Sequence, residues 1–549
     1  MIPRVRMTSR VLATRYAHQA WRHALALVIA VTFVVFAPAP QASAAQTVTI
    51  TVDAGAELGP TNPRLLGIGW NTGSLDGVAP LAPPMVRIDA SLHEASIGPN
   101  ELNLKPLKER VAAVRAIGAE PHVILSYMPP WLARTGPGDP RDLTKVAPED
   151  FDVWQALIED VVTQLATAAQ PARRFEVLNE PDLPVFWQDM PSDFLELAKR
   201  TTAAVRAVEA SHPGLDLEIG GPATAFPDPI FIIPYWLDTN PDFVSWHFYG
   251  NHPFFGPDGN EGFVPDSVYQ ANARRNAFMT PREFGAQVDM VRSWVGDDVE
   301  LAIDEWNVAA GGFDTRHDTH EGAAFDAAVL TEMENADLDA ADFYRSGDTP
   351  GEPRGGEWGL VDGSGSRKPA WWVFDAWRVT AGTRVGVAGD DPAGGLWARA
   401  TKGTGSEGSR VDVIVSAFGV ATSPSSGGGG EPPDRDVTIS LAGATASCAD
   451  VRTLAPPDSS FAAVQRHAVV NNSVTVAVPG PSVVWVRFPA SCSGGAAASA
   501  GGASVLGATA HSETPRGVLP ATGLSMSMAP GAATLLVGVL TRRTRVRAR

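Results

Sequence analysis

The chain has 549 residues, of which 44% are apolar and 19% are charged, and this length suits two or three globular domains with a large core. Acidic residues outnumber basic residues by 61 to 43, which gives a formal net charge of −18 and argues against nucleic acid or an anionic membrane surface as a partner. The two cysteines, Cys448 and Cys492, lie in the same small C-terminal part of the chain, and the sequence leaves open whether they form a disulfide.

The first 45 residues have the three parts of a signal peptide. Five arginines between positions 4 and 22 precede an apolar stretch from Ala24 to Ala37, and Ala42-Ser43-Ala44 supplies the small residues of a cleavage site. The apolar stretch is short for a membrane span, although an N-terminal membrane anchor is the alternative interpretation. The sequence therefore predicts export, with residues 1–45 removed and only transient contact with the membrane.

Strand-like and helix-like segments alternate from residue 61 to residue 380, and continuous apolar strands that alternate with helices predict a parallel sheet of the α/β class. Eight such pairs predict a closed (β/α)8 TIM barrel. The predicted strands are Leu66–Trp70, Met85–Asp89, Pro121–Ser126, Arg174–Leu178, Leu217–Gly221, Phe243–Tyr249, Leu301–Asn307 and Ala340–Arg345. The predicted helices include Leu104–Ile117, Pro148–Ala168, Ser192–Ser211, Phe284–Val295 and Glu321–Ala336.

Two further β segments flank the barrel in the sequence. Residues 46–60 contain an alternating strand, which either stands alone before the barrel or belongs to the C-terminal β-domain. Residues 383–492 consist of short alternating runs broken by Gly and Pro, which predicts a small all-β sandwich domain. Residues 493–518 are rich in Gly, Ala and Ser and predict a disordered linker.

Residues 519–549 begin with Leu519-Pro520-Ala521-Thr522-Gly523 and continue with an apolar stretch and a terminal cluster of arginines. This three-part ending resembles a sortase cell-wall sorting signal. The resemblance implies cleavage between Thr522 and Gly523 and covalent attachment to the peptidoglycan of a Gram-positive type bacterium. A C-terminal membrane anchor is the alternative interpretation.

Two of the predicted barrel strands end in a glutamate. Arg174–Leu178 runs into Asn179-Glu180-Pro181, where proline ends the strand, and Glu305 lies near the end of the strand that begins at Leu301. Two carboxyl groups at the ends of buried strands are what glycoside hydrolysis requires, because one protonates the leaving oxygen while the other attacks or activates water. The sequence thus predicts a glycosidase site at the carboxyl end of the barrel.

The barrel resembles clan A of the glycoside hydrolases and is most similar to family 39. The residues that carry the resemblance are Asn179-Glu180-Pro181 and Asp304-Glu305-Trp306-Asn307, with support from segments 125–131, 220–223 and 245–249. The resemblance implies that Glu180 is the acid/base, that Glu305 is the nucleophile, and that hydrolysis proceeds with retention of configuration. It implies β-xyloside cleavage first, with arabinosides and galactosides of plant glycans as alternatives. A non-catalytic surface adhesin that binds glycans is the remaining alternative.

Six further residues are candidates for binding the substrate. Asn179 can donate to the sugar 2-hydroxyl, and Arg87 supplies a buried cation near Glu305. His247 and Tyr249 are alternate residues of one strand and so share a face, where they either contact the nucleophile and sugar or serve the fold. Trp131 and Trp306 are either sugar platforms or core residues.

The sequence predicts no metal and no cofactor. His247 and His252 lie near aspartates, but their spacing matches no ligand pair on a helix, and the chemistry of the clan requires no metal. The expected partners are therefore a carbohydrate substrate and, through sortase, peptidoglycan, and the expected location is the outer cell wall. The sugar, its anomeric configuration, and exo or endo action stay open at this point.

Overall fold

The structure is a computed structural model, and it describes residues 46–136, 139–250, 281–311, 314–351, 355–405, 408–419 and 432–492. The predicted signal peptide, linker and sorting signal, including Thr522 and Gly523, lie outside the described residues. Within the described ranges, no helix is both long enough and apolar enough to cross a membrane.

The strands described up to residue 343 are β1 (Gln46–Pro60), β2 (Gly67–Gly69), β3 (Met85–Asp89), β4 (Ser96–Gly98), β5 (Glu101–Leu102), β6 (Glu120–Leu125), β7 (Arg174–Val177), β8 (Glu218–Thr224), β9 (Phe243–Tyr249), β10 (Glu300–Asn307) and β11 (Ala340–Phe343). Eight of them are parallel and form a closed barrel in the order β10-β11-β2-β3-β6-β7-β8-β9, and all eight correspond to strands predicted from the sequence. Strands β4 and β5 form a separate hairpin, and β1 belongs to another sheet.

The helices lie on the outside of the barrel and bury one apolar face against it. In the described ranges they are Leu92–Ala95, Lys105–Ala116, Phe151–Ala166, Pro191–Ser211, Pro229–Thr239, Arg282–Val295, His320–Asn335 and Pro369–Val379. Helix Phe151–Ala166 illustrates how the sequence encodes them: Asp150 caps its first turn, and its buried residues include Trp154, Ile158 and Leu165.

Three of these helices were not predicted from the sequence: Leu92–Ala95, Pro229–Thr239 and Pro369–Val379. The last two each begin with a proline in the first turn, where the missing N–H costs nothing. Helix Pro229–Thr239 also contains Pro234, which ordinarily interrupts a helix. Its buried Phe231, Ile232 and Tyr235 are packed against the barrel, so tertiary packing overrides the local preference.

The amino-terminal end of the barrel is closed by packed side chains. Arg174 lies under the ring of Phe243, with 3.5 Å from its guanidinium carbon to the ring centroid, and pairs with Glu218 at 2.6 Å and Glu300 at 2.7 Å. Gly220 is required beside this layer, because a Cβ there would lie 2.3 Å from the Phe243 ring. Among the described residues, these contacts fill the amino-terminal end of the barrel interior around Arg174 and Phe243.

The C-terminal domain is all-β, as predicted, and its nine strands are bonded continuously in the order β17-β16-β19-β14-β13-β12-β1-β15-β18. Its remaining strands are β12 (Thr383–Ala388), β13 (Leu396–Gly405), β14 (Gly408–Ala417), β15 (Arg435–Ala442), β16 (Cys448–Leu454), β17 (Gln465–Ala468), β18 (Ser473–Val478) and β19 (Ser482–Pro489). The sheet folds over so that β18 contacts β16 and β19, and both halves contribute to one apolar core. Strand β1 lies inside the sheet, antiparallel to β12 and parallel to β15.

Two features fix the β-domain. Cys448 and Cys492 form a disulfide, which answers the question that the sequence left open. The sheet also packs against the barrel helix His320–Asn335, where Arg399 donates to Glu334 at 2.5 Å and Trp397 donates to Glu332 at 2.7 Å. These bonds join the sheet to the outer helix of the barrel that follows β10.

Candidate active site

Glu180 is placed at the mouth of the barrel by an unusual backbone turn. Strand β7 ends at Val177, and Leu178 and Glu180 then adopt left-handed conformations with φ of 58° and 44°. Such conformations are disfavoured for residues other than glycine and persist where the surrounding structure fixes them. Here the Glu180 N–H donates to the carbonyl oxygen of Ala223 at 2.8 Å. The turn leaves Glu180 only 8% exposed, with its carboxyl group directed into the barrel mouth.

Glu305 is turned into the barrel by a bulge in β10. Ile303 pairs with Trp246 and Glu305 pairs with His247, so Asp304 is an extra residue with no partner of its own in β9. A bulge of this kind shifts the alternation of side chains by one position. As a result Glu305 faces the interior together with Asp304, whereas Trp306 points outward.

The two glutamates lie close together across the barrel mouth. One carboxylate oxygen of Glu180 and one of Glu305 lie within 4.8 Å of each other, and each also lies within 4.8 Å of a ring nitrogen of His247. His247 Nδ1 is 2.8 Å from Glu180 Oε1, and the Tyr249 hydroxyl donates to Glu305 Oε1 at 2.5 Å. The alternation of His247 and Tyr249 along β9 thus places both side chains at the carboxyl pair.

Arg87 organises the floor of the site. It is 5% exposed and donates to Glu305 Oε2 at 3.0 Å, to Asn179 Oδ1 at 3.0 Å and to Glu176 Oε2 at 2.8 Å. Because the Asn179 oxygen accepts from Arg87, its side-chain amide is oriented with the nitrogen as the group that can donate to a ligand. The structure therefore brings Arg87, Asn179, Glu180, His247 and Glu305 into one cluster.

Burial raises the pKa of Glu180 and lowers the pKa of His247, so it favours the neutral form of both groups. Loss of hydration raises the pKa of Glu180 to about 7, with Arg87 opposing the shift. Burial also lowers the pKa of His247 to about 4, which the charge of Glu305 partly offsets. Near pH 6 the imidazole is therefore neutral and Glu180 holds a proton, as a general acid requires.

Two carboxyl residues of the site were not identified from the sequence. Glu176 and Asp304 are buried beneath Arg87, and Ser245 donates to Glu176 Oε1 at 2.6 Å. Burial and the charge of Glu176 raise the pKa of Asp304 well above its usual range, whereas for Glu176 the effect of burial is outweighed by Arg87 and by hydrogen bonds, which lower its pKa. One proton is thus held on Asp304 beside an ionised Glu176. The sequence did contain a signal, because Arg174 and Glu176 alternate with Phe175 and Val177 along β7.

The two tryptophan candidates have different positions. Trp131 is half-buried, and its Nε1 donates to the backbone oxygen and to Oγ of Ser96, both at 3.1 Å. Its role as a sugar platform stays a prediction. Trp306 corrects the expectation: it is 0% exposed and packs outside the barrel against Phe343 and Phe374, with ring centroids 5.0 Å and 6.2 Å away. It is a core residue and cannot stack on a sugar.

Two groups of residues in the described ranges bring potential metal ligands together. They are His122, Glu176 and Asp304, and Glu180, His247 and Glu305. The Arg87 guanidinium contacts members of both groups, within 2.7 Å of Glu176 and 3.0 Å of Glu305. A bound cation would have to compete with that fixed positive charge. The prediction of a metal-free site therefore stands as a prediction with a physical reason.

No family model matches the chain. A β-xylosidase from Geobacillus stearothermophilus is 24% identical over 278 residues, which are 47% of this chain and 52% of that protein. The chain thus spans about half the length of this curated relative.

Solved structures resemble the chain over most of its length. A monomeric β-xylosidase from Caulobacter crescentus CB15 has a TM-score of 0.60 at 18% identity, covering 81% of this chain and 99% of that one. A GH39 enzyme from Xanthomonas axonopodis pv. citri has a TM-score of 0.59 at 19% identity, covering 82% and 99%. A glucosidase from Croceicoccus marinus has a TM-score of 0.60 at 17% identity, covering 81% and 99%. At these identities the likeness establishes the fold, a TIM barrel with an appended β-sheet domain.

Proposed function

We propose that this protein is a retaining glycoside hydrolase of clan A, most similar to family 39, with Glu180 as acid/base and Glu305 as nucleophile. One observation carries the proposal: the carboxyl groups of Glu180 after β7 and Glu305 on β10 approach within 4.8 Å, and burial raises the pKa of Glu180 to about 7. Retaining enzymes hold their carboxyl groups roughly 5–5.5 Å apart, whereas inverting enzymes leave roughly 6.5–9.5 Å for a water molecule.

In the first step, Glu305 attacks the anomeric carbon while Glu180 transfers its proton to the leaving oxygen. Arg87 and Tyr249 each donate to a different oxygen of Glu305 and so fix the plane of the attacking carboxylate. Asn179, held by Arg87, donates to the sugar 2-hydroxyl, a hydrogen bond that strengthens in the transition state. The glycosyl group is then bound covalently to Glu305.

In the second step, the ionised Glu180 removes a proton from water, which attacks the anomeric carbon and releases Glu305. Glu180 must therefore act first as an acid and then as a base at one pH. A carboxyl group whose pKa is about 7 is suited to both tasks near neutral pH. Two successive inversions give net retention.

We propose β-xylosides as the first substrate class, with arabinosides and galactosides as alternatives. The proposal is supported by the relative from Geobacillus stearothermophilus and by two similar structures from Caulobacter crescentus, all of which carry the name β-xylosidase. A panel of 4-nitrophenyl glycosides tests it: the xyloside should be cleaved with the highest kcat/KM. Cleavage of another glycoside instead reassigns the sugar and leaves the mechanism intact.

The same panel of nitrophenyl glycosides tests the non-catalytic alternative. A surface protein that only binds glycans would turn over none of the nitrophenyl glycosides while still binding insoluble polysaccharide. Retention of Asn179, Glu180 and Glu305 in one hydrogen-bonded cluster favours turnover.

We further propose that the protein is exported and attached to the cell wall through Thr522. The support is sequence alone: the signal-peptide pattern of residues 1–45 and the sorting pattern of residues 519–549. In a sortase-bearing host, a peptidoglycan hydrolase should release the protein, and mass spectrometry should find Thr522 as its last residue. Release by detergent alone, with Arg549 still present, would overturn the assignment and favour a membrane anchor.

A further inference from the structure

The loop that follows β7 is joined to the end of β8 and to the residue after it by reciprocal hydrogen bonds beside Glu180. The Glu180 N–H donates to the Ala223 carbonyl oxygen at 2.8 Å. In return, the Ala225 N–H donates to both oxygens of Asp182, at 2.9 Å and 3.1 Å. Asp182 lies two residues after Glu180. The backbone is therefore anchored to β8 and the residue after it both at Glu180 itself and two residues later.

Both partners of this connection have strained backbones. Glu180 has a φ of 44° and Ala223 a φ of 52°, and the register between β8 and β9 shifts at Ala223, which forms a bulge. Residues other than glycine stay in this region only where their surroundings hold them. Ala223 is also held by the neighbouring strand β9, because its N–H donates to Ser245 Oγ at 3.1 Å. Ser245 in turn donates to Glu176, the partner of Arg87.

The side chain of Asp182 is suited to hold this turn without disturbing Glu180 electrostatically. It is half-buried, and burial raises its pKa to about 8, with the Ala225 N–H opposing the shift and Glu180 adding to it. Below that pH Asp182 is neutral and brings no second negative charge beside the acid/base. To accept the Ala225 N–H, residue 182 needs only a side-chain oxygen at the same distance from the backbone, and asparagine also has one.

We infer that Asp182 is a positioning residue for the acid/base: by accepting the Ala225 N–H it holds the loop after β7 against the loop after β8 and keeps the left-handed turn that aims Glu180 at the leaving oxygen. This inference rests on the proposed function. It identifies a residue that touches neither the sugar nor the nucleophile but controls proton transfer to the leaving group.

The test is the dependence of kcat/KM on the leaving group, because kcat/KM reports the step in which Glu180 donates its proton. Displacing a catalytic group by about 1 Å costs up to roughly 10²-fold. Asp182→Ala should therefore lower kcat/KM by about 10- to 100-fold on an alkyl glycoside, whose leaving group must be protonated. On the 2,4-dinitrophenyl glycoside, whose leaving group needs little protonation, the loss should stay within about threefold.

Two variants control this experiment. Asp182→Asn keeps an oxygen for the Ala225 N–H and should restore the wild-type leaving-group dependence. Asp228→Ala removes another aspartate that accepts a nearby backbone N–H, that of Ile230 at 2.8 Å, and should lower thermal stability without changing the leaving-group dependence. Amide hydrogen exchange should be faster at Ala225 in Asp182→Ala and unchanged there in Asp228→Ala.

The outcomes separate this inference from the proposed function. Equal losses on the two substrates in Asp182→Ala, or no rescue by Asp182→Asn, would overturn the positioning role. Glu180→Ala in the same series tests the acid/base assignment itself, since it should show an even steeper leaving-group dependence. If Glu180→Ala shows none, the proposed function fails, whatever Asp182 does.

Discussion

His247 Nδ1 lies 2.8 Å from Glu180 Oε1 and 3.9 Å from Glu305 Oε2, so one imidazole faces both carboxyl groups of the site. With its pKa lowered to about 4 by burial, His247 is neutral at the pH at which Glu180 works. A neutral imidazole that carries its proton on Nδ1 donates to Glu180 Oε1 whether Glu180 is protonated on its other oxygen or ionised. His247 can therefore remain bonded to Glu180 through both steps without adding charge or changing tautomer, and the acid proton stays free for the leaving oxygen.

The first prediction separates the two glutamates by their chemistry. Glu180→Ala should slow hydrolysis by roughly 10²–10⁴-fold on substrates that need protonation, but the covalent intermediate should still form from a dinitrophenyl glycoside. Azide requires no general base, so it should accelerate turnover of this variant and give a glycosyl azide of retained configuration. Glu305→Ala should be nearly inactive with every substrate, and azide should give it the inverted product.

Product configuration, measured by NMR, checks this prediction. Glu109→Ala is a suitable control, because Glu109 is exposed on the outer helix Lys105–Ala116 and should be as active as the wild type. An inverted azide product from Glu180→Ala would mean that the two roles are exchanged. Losses below about tenfold in both variants would place the site elsewhere.

The second prediction concerns pH. Glu180 must be protonated to act as the acid, and its pKa is raised to about 7, so kcat/KM should fall as the pH rises through about 7. An unburied glutamate would cause this fall near its ordinary pKa of 4.5. In Glu180→Ala the limb near pH 7 should disappear for a dinitrophenyl glycoside. A wild-type limb that persists unchanged in the variant would assign the titration to another group.

The third prediction contrasts the two tryptophans. Trp306→Ala should lower the free energy of unfolding by about 3–5 kcal/mol, because it empties a packed site between barrel and helices. Trp306→Phe should lose less, and the folded fraction of either variant should keep the wild-type KM. Trp131→Ala should raise KM by about 2- to 10-fold if its face supports a sugar. Thermal melts and steady-state kinetics distinguish the effects, and an unchanged KM in Trp131→Ala would contradict the platform role.

The fourth prediction concerns stability and Asp326, which is 2% exposed in helix His320–Asn335. Its Oδ1 has no hydrogen-bond partner among the described residues, and burial raises its pKa well above the ordinary 3.8. The folded state thus binds the proton more tightly than the unfolded chain, so stability falls as the pH rises above about 4.

Asp326→Asn is neutral at every pH and should remove this dependence. Its melting temperature relative to the wild type should increase between pH 5 and pH 8. Asp152→Asn, at an exposed position, gives the control in which the difference stays constant. A difference for Asp326→Asn that also stays constant would show that the buried carboxyl does not titrate over this range.

The sequence by itself determined the barrel and its two glutamates. Apolar strands alternating with amphipathic helices predict a parallel sheet and eight such pairs predict its closure into a barrel, while a strand that meets Asn179-Glu180-Pro181 ends there. The alternation of His247 and Tyr249 likewise fixed a shared face, because successive residues of a regular strand point to opposite sides. These are local rules, and local rules can be applied without knowing the partner strands.

Only the tertiary structure decided which way Glu305 and Trp306 face. At the Asp304 bulge, β10 contains one residue more than the strands paired with it over the same stretch. Such a bulge exists only between paired strands, so it cannot be predicted from the sequence of one strand. The same holds for Glu176 and Asp304, whose protonation depends on Arg87 arriving from β3. The raised pKa of Glu180 also required the fold, because loss of hydration depends on everything that surrounds the carboxyl group rather than on its neighbours in sequence.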